Sequence, residues 1–321
     1  MKLTEKDLKL LTYIYHSKRE PITKIARETG LTRIQVEYTL KKFQKEKIIK
    51  GFNTMYNYSS FGYNVYTLVL IKLKKYSSLK KFTNKLEKTK HCISWGECFG
   101  KFDLFTNLIF KNESELSNFL GELINEKNEP ILDYKIIKPY TTEFQPLKIS
   151  GLKSQLKFPL VSKNTKERGF SKTELQILKI LERDARIKLI DIAKRVSISA
   201  ELVLHKIKKL QKQGIILGTK AEINMKKLGY NYTMILLNIN NLSNTIKEKL
   251  INFSKKEESV NALVLSLFNP NCILQIFHKT TDELKQEVKK IKTLLEGEIY
   301  SLDVLLAQEE ESVNTLPFIE Y

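Results

Sequence analysis

Shifted by 167 residues, the chain lies on itself. Leu8 meets Leu175, Ile25-Ala26 meets Ile192-Ala193, Val36 meets Val203, and Lys41-Lys42 meets Lys208-Lys209. The match continues through Ile48-Ile49 on Ile215-Ile216, Gly51 on Gly218 and Gly62-Tyr63-Asn64 on Gly229-Tyr230-Asn231. One constant offset without a gap is the signature of a tandem duplication, so both halves must answer to the same fold. At 321 residues the chain also exceeds what one hydrophobic core serves, which predicts several compact units.

Each copy opens with three helical stripes. In the first they are Leu8, Leu11 and Ile14-Tyr15; then Ile22, Ile25 and Ala26; then Val36, Leu40 and Phe43. Gly30 stops the second helix and Thr32 caps the third; the second copy uses Ser199 as the cap. "KEKIIKGFN" and "KQGIILGT" then suit a turn into a short wing strand. Beyond the wing, both halves read strand, helix, strand, strand, helix, strand, from "YNVYTLVLIKL" to "ILDYKIIKPY" and from "NYTMILLNIN" to "IYSLDVLLAQE". The predicted class is α+β: two winged helix-turn-helix domains alternating with two ferredoxin-like (split βαβ) domains. The expected boundaries are a helix-turn-helix at 1–52, a ferredoxin-like domain at 53–145, a basic linker at 146–168, a second helix-turn-helix at 169–219, a second ferredoxin-like domain at 220–310 and a tail at 311–321.

The formal charge of +19 is concentrated. Residues 1–50 hold 13 Lys and Arg against 6 acids, and residues 168–217 hold 12 against 5, so each helical segment carries +7, while residues 51–145 carry +3. Charge packed this way favours a polyanion, because neutralising phosphates releases counterions. The start "MKLTEKDLKL" has no apolar leader and no apolar run is long enough to span a bilayer, so a soluble, cytoplasmic protein with no membrane partner is expected. Cys92, Cys98 and Cys272 form no Cys-x-x-Cys pair and read as reduced core thiols, and His91, Cys92 and Cys98 read as core rather than metal ligands. No phosphate loop, metalloprotease helix or nucleophile-base pair is present, so neither an enzyme nor a cofactor is expected.

"LQILKILERDARIKLIDIAKRVSIS", "IKKLQKQGIILG", "KKLGY" and the "GKFD" turn at 100–103 resemble the leucine-responsive (Lrp/AsnC, or feast/famine) transcription-regulator family, here as a tandem two-copy chain. The resemblance implies a DNA-binding first domain and a regulatory ferredoxin-like domain that pairs through its sheet and binds an amino-acid-like effector. Two copies in one chain imply pairing of regulatory domains within the molecule or in a homo-oligomer. The second regulatory domain departs from the pattern, with "FNPNC" where the turn has neither glycine nor aspartate. Two alternatives stand beside this reading. One is an enzyme similar to siroheme decarboxylases, whose His-, Tyr- and Arg-rich motif would fall on "SWGECFGKFDLFTNL" and is unmatched there; the other is a protein-interaction scaffold.

Duplex DNA is thus the expected partner. On the third helix Thr32 caps, Arg33 and Gln35 suit guanine and adenine edges, Glu37 suits cytosine, and Ile34 and Tyr38 suit thymine methyls. Lys41, Lys42 and Lys50, with Lys24 and Arg27, suit phosphates. In the second copy Ser199, Glu201, His205, Lys208 and Lys209 occupy the corresponding outward face. Leu202 and Leu204 replace Gln35 and Glu37, and either meet thymine methyls or fill a seam against another domain, the seam being preferred. Trp95, Gly96, Gly100 and Asp103 are the candidate effector residues. The charge placement makes one outcome measurable: affinity for duplex DNA should fall steeply with salt, the log-log slope steepening by about 0.9 for each phosphate neutralised. Titrations from low to physiological salt check this, and a flat response refutes it.

Overall fold

The same local signals start the same elements in both copies. In the computed structural model, which describes residues 3–17, 19–124, 131–148, 167–308 and 310–319, the first copy runs α1 (Glu5–Tyr15), β1 (His16–Ser17), α2 (Ile22–Thr29), α3 (Arg33–Lys45), β2 (Ile49–Tyr56), β3 (Val65–Leu73), α4 (Leu79–Glu87), β4 (Cys92–Phe99), β5 (Leu104–Phe110), α5 (Glu113–Ile124), β6 (Ile131–Ile137) and β7 (Pro139–Phe144). The second runs α6 (Lys172–Arg183), α7 (Leu189–Val196), α8 (Ala200–Lys212), β8 (Ile216–Ile223), β9 (Asn231–Ile239), α9 (Asn244–Lys256), β10 (Val260–Ser266), β11 (Cys272–His278), α10 (Thr281–Leu294), β12 (Ile299–Ala307) and β13 (Glu311–Ser312). Helix α1 opens on a reciprocal bond: the Thr4 amide donates to Asp7 at 2.9 Å and the Asp7 amide to Thr4 Oγ1 at 3.2 Å. Ser171 and Glu174 repeat that box on α6, at 3.0 and 3.2 Å. Each box satisfies donors that a helix start leaves without partners.

The expected domains are grouped in pairs. The chain forms two compact units: residues 1–62 with 146–224, and residues 63–145 with 225–320. The first boundary therefore falls after Gly62, not at 52, and the next after Asn224, not at 219. The cause is the wing strands. The sequence named no partner for either wing; β2 pairs antiparallel with β8 along their length, from Ile49 opposite Ile223 to Tyr56 opposite Ile216. Asn53 faces Lys220, its own counterpart in the repeat, so a pseudo-twofold axis passes through the ribbon. The bonds at its ends are reciprocal: Asn57 N donates to Ile215 O at 3.0 Å and Asn224 N to Ile48 O at 2.8 Å. Arg19 donates to the carbonyls of Ala185 and Ile187, and its counterpart Arg186 donates to Glu20 O at 3.3 Å. Burial lowers both guanidinium pKa values, and the carbonyls supply the partners that such donors require. Tyr56 and Thr54 extend from β2 to α6, donating to the carbonyls of Leu178 (3.0 Å) and Leu181 (2.7 Å). Most of the expected linker, residues 149–166, lies outside the described residues. Its end docks in this unit, where Arg168 N donates to Ser60 O at 3.1 Å and Phe170 stacks on Phe61 at 4.7 Å.

The second unit contains both ferredoxin-like folds. Their strand orders, β6-β3-β5-β4 and β12-β9-β11-β10, are the same when read in each copy's own chain order. A helix-side core lies in each, Phe82, Leu86, Leu104 and Phe119 in the first, Leu250, Leu263, Leu274 and Ile291 in the second. A third core, with Leu68, Leu70 and Phe105 against Met234, Leu236 and Ile273, lies between the two sheets. Each copy also lends a strand to the other. The segment expected as one strand at 131–140 divides, and β7 continues from Pro139 along β10, with Phe144 opposite Ala262. Its counterpart follows β4: Leu306 and Ala307 of β12 lie opposite Phe99 and Cys98, and Glu311 of β13 opposite Trp95. Two sheet edges that would otherwise be open to aggregation are thereby covered. The expected tail is structured too, with Leu316 buried and Phe318 stacked on Tyr63 at 3.8 Å. No described helix is long and apolar enough to cross a membrane.

Gly100 sits where the copies join. Its φ is +134°, and a Cβ there would lie 3.1 Å from both Val304 O and Leu305 Cδ2. Gly100→Ala should therefore lower stability by about 2 kcal/mol, from backbone strain and overpacking. Chemical denaturation measures this; an unchanged midpoint contradicts the close approach.

Candidate nucleic-acid interface

Helices α3 and α8 are set in place by equivalent cores. Val36, Leu40 and Phe43 are buried on α3, and Val203, Ile207 and Leu210 on α8, which turns the remaining positions outward. Both helices start on a side-chain cap, but the caps differ. Thr32 Oγ1 accepts from Gln35 N at 3.2 Å while Gln35 Oε1 accepts from Thr32 N at 2.9 Å, a complete capping box. Ser199 accepts from Leu202 N at 3.2 Å, and leucine returns nothing. Gln35, expected as an adenine reader, has its carboxamide oxygen engaged at the helix start.

The other expected readers have partners as well. Arg33 Nε donates to Glu37 Oε1 at 2.9 Å one turn along the helix, with the Arg33 side chain 69% exposed. Beside that ion pair α3 presents two large apolar groups: Ile34 and Tyr38, four residues apart on one face, are 78% and 68% exposed. Lys41 and Lys50 are exposed and Lys42 is half-buried. Lys24 pairs with Glu20 at 2.7 Å and Arg27 with Glu28 at 3.1 Å.

On α8 the equivalents of Arg33, Ile34 and Tyr38 are Ala200, Glu201 and His205. Glu201, His205, Lys208 and Lys209 are all exposed. Leu202 and Leu204 are 43% and 37% exposed, half-open apolar side chains on the flanks of the helix. The lysine pair is retained while the arginine is lost.

The candidate effector residues each have a partner or a place in the fold. Asp103 accepts from Lys72 Nζ at 2.7 Å and from Leu73 N at 2.9 Å, which ties the β4–β5 turn to the end of β3. Trp95 packs on the helix-side core and donates to Glu87 at 2.9 Å; Gly96 is buried within β4; Gly100 is required by the approach of β12. His91 is a core residue, its Nδ1 3.1 Å from Ile109 O and its ring 4.5 Å from Phe110, with burial lowering its pKa. Burial raises the Cys92 and Cys98 thiols to about 12 and Cys272 further, which suits inert core thiols. Among the described residues no group of three His, Cys, Asp or Glu side chains could hold a metal ion.

Comparison with known proteins bears on the second of these helices directly. A family model described as winged helix-turn-helix DNA-binding matches residues 170–216. The HTH-type transcriptional regulator FL11 of Pyrococcus furiosus is 30% identical over 120 residues, which cover 37% of this chain and 78% of that protein. The chain belongs to the Lrp/AsnC-type helix-turn-helix transcriptional regulators. Regulatory protein AsnC of Haemophilus influenzae is 31% identical over 137 residues, 42% of this chain and 88% of that protein. DNA binding by the helix-turn-helix follows from this membership. A crystal structure of the siroheme decarboxylase NirDL covers 95% of this chain and 91% of its own with a TM-score of 0.61, at 17% identity; that likeness is one of fold.

The unequal caps are open to measurement. Leu202→Gln should close the second box and raise stability by about 0.5 kcal/mol. Thermal melting reads the change; a loss of stability would mean that Leu202 is held by packing.

Proposed function

We propose that this chain is a tandem two-copy form of the family, a single-chain transcription regulator that binds an asymmetric DNA site. The observation that carries the proposal is the β2–β8 ribbon, which holds two recognition helices of different chemistry in one unit. Helix α3 chooses the site. Ile34 and Tyr38 project far enough to pack on thymine methyls, and Arg33 can exchange Glu37 for the O6 and N7 of guanine. Gln35 and Thr32 act through the cap. Helix α8 anchors: Lys208 and Lys209 repeat Lys41 and Lys42 as phosphate contacts, while Ser199, Glu201 and His205 border the groove without a counterpart of Arg33.

An amino-acid effector at Trp95, Gly96, Gly100 and Asp103 draws its support from the family resemblance, and an incoming ammonium would have to displace Lys72 from Asp103. The decarboxylase fold does not favour an enzyme here, since the His, Tyr and Arg motif is unmatched on β4 and β5 and function resides in sites rather than folds.

Selection of bound duplexes from a random pool, followed by affinity measurements, tests the division of labour. Replacing Arg33 and Tyr38 by Ala should weaken the selected site by about 1–3 kcal/mol while sparing unrelated duplexes. Replacing Lys208 and Lys209 should weaken all duplexes alike. Equal losses on every sequence from both variants would remove the assignment of reading to α3.

A further inference from the structure

The first regulatory domain carries a charge concentration that its twin lacks. Residues 72–90 hold eight lysines against one acid, whereas the equivalent residues 239–257 hold four against two. Helix α4 lies in this stretch. It buries Leu79, Phe82, Thr83 and Leu86, and leaves Lys80, Lys81, Lys85 and Lys88 exposed, as are Lys74, Lys75 and Lys90 around it.

The start of the helix is opposed by this placement. Lys81, Lys85 and Lys88 stand at i, i+4 and i+7, a row of one sign along one face. Lys80 and Lys81 fall in the first turn, which contains no acid and whose N–H groups already present positive charge. The one acid of the stretch, Glu87, accepts from the Trp95 indole at 2.9 Å. Both helices end on lysine, but the twin helix α9 opens on a Ser243 side-chain cap accepting from Ile246 N, which α4 lacks. The fold therefore does not require the lysines of α4, and their placement calls for a polyanion that relieves the repulsion.

We infer that α4 is a second phosphate-binding surface, which grips duplex DNA flanking the site held by the helix-turn-helix unit. This rests on the DNA-binding reading above. A chain anchored by α3 and α8 keeps flanking duplex at high effective concentration, which favours DNA over other polyanions. Contacts of this kind add affinity and salt dependence without sequence preference.

The test compares wild type with the quadruple variant Lys80→Gln, Lys81→Gln, Lys85→Gln, Lys88→Gln on a selected site embedded in a 20-bp and a 60-bp duplex. The statistical gain from the longer lattice is common to both proteins, so the difference between them isolates α4. On the long duplex the variant should bind at least about tenfold more weakly, with a log-log salt slope shallower by about 3. On the short duplex the two should agree within about twofold. Thermal melting serves as the control for folding, since removing like-charge repulsion should leave the midpoint unchanged or raise it. Equal behaviour on both duplexes overturns the proposal, as does an equal loss on both. So does loss of binding to vesicles of anionic phospholipid without loss on long DNA. Failure of the wild type to bind either duplex would instead remove the DNA-binding reading itself.

Discussion

The backbone ladder between β2 and β8 is the constraint on which the first unit depends. A helix-turn-helix of about fifty residues buries too little apolar surface to be robust by itself. Here the wing of one is completed by the wing of the other, and Arg19 and Arg186 fasten the same seam by bonding each other's loops. Both recognition helices therefore inherit their placement from one ribbon. Loss of the ladder would disturb two DNA-binding surfaces at once.

The same reciprocity recurs in the second unit, where β7 borders β10 and the β12–β13 segment borders β4. A siroheme decarboxylase at 17% identity has a similar overall fold, and a fold by itself does not select a chemistry. Selection occurs in the side chains that the frame leaves facing outward. Both helices keep a lysine pair; beside it α3 carries an ion pair and two large apolar groups, and α8 carries leucines.

Much of this was legible in the sequence. Helical stripes located α1 to α3 and α6 to α8, because a buried face repeats with the helical period whatever it packs against. Strand order within each ferredoxin-like fold followed from alternation and turns. Pairing between distant strands was not legible, since a strand's sequence records that one face is buried and not which edge lies beside it. That is why the boundary expected at 52 moved to 62. Gln35's cap was not legible for a related reason: the same carboxamide suits a base edge or a capping box, and the sequence alone does not show which it meets. The stripe on α4 escaped because charge counted over 51–145 averages lysine-rich residues 72–90 with acidic neighbours.

Asn53 lies opposite its own counterpart, Lys220, at the centre of the ribbon. In a symmetric pair of identical chains the residue at that point always faces itself, and a lysine would face a lysine across an antiparallel ladder, which is unfavourable. Fusion removes that restriction, because a substitution now falls on one side only. The second half, with Lys220, is poorly suited to pairing with another copy of itself and well suited to the first half. At this point of the ribbon each strand can therefore carry a residue that would not suit facing itself.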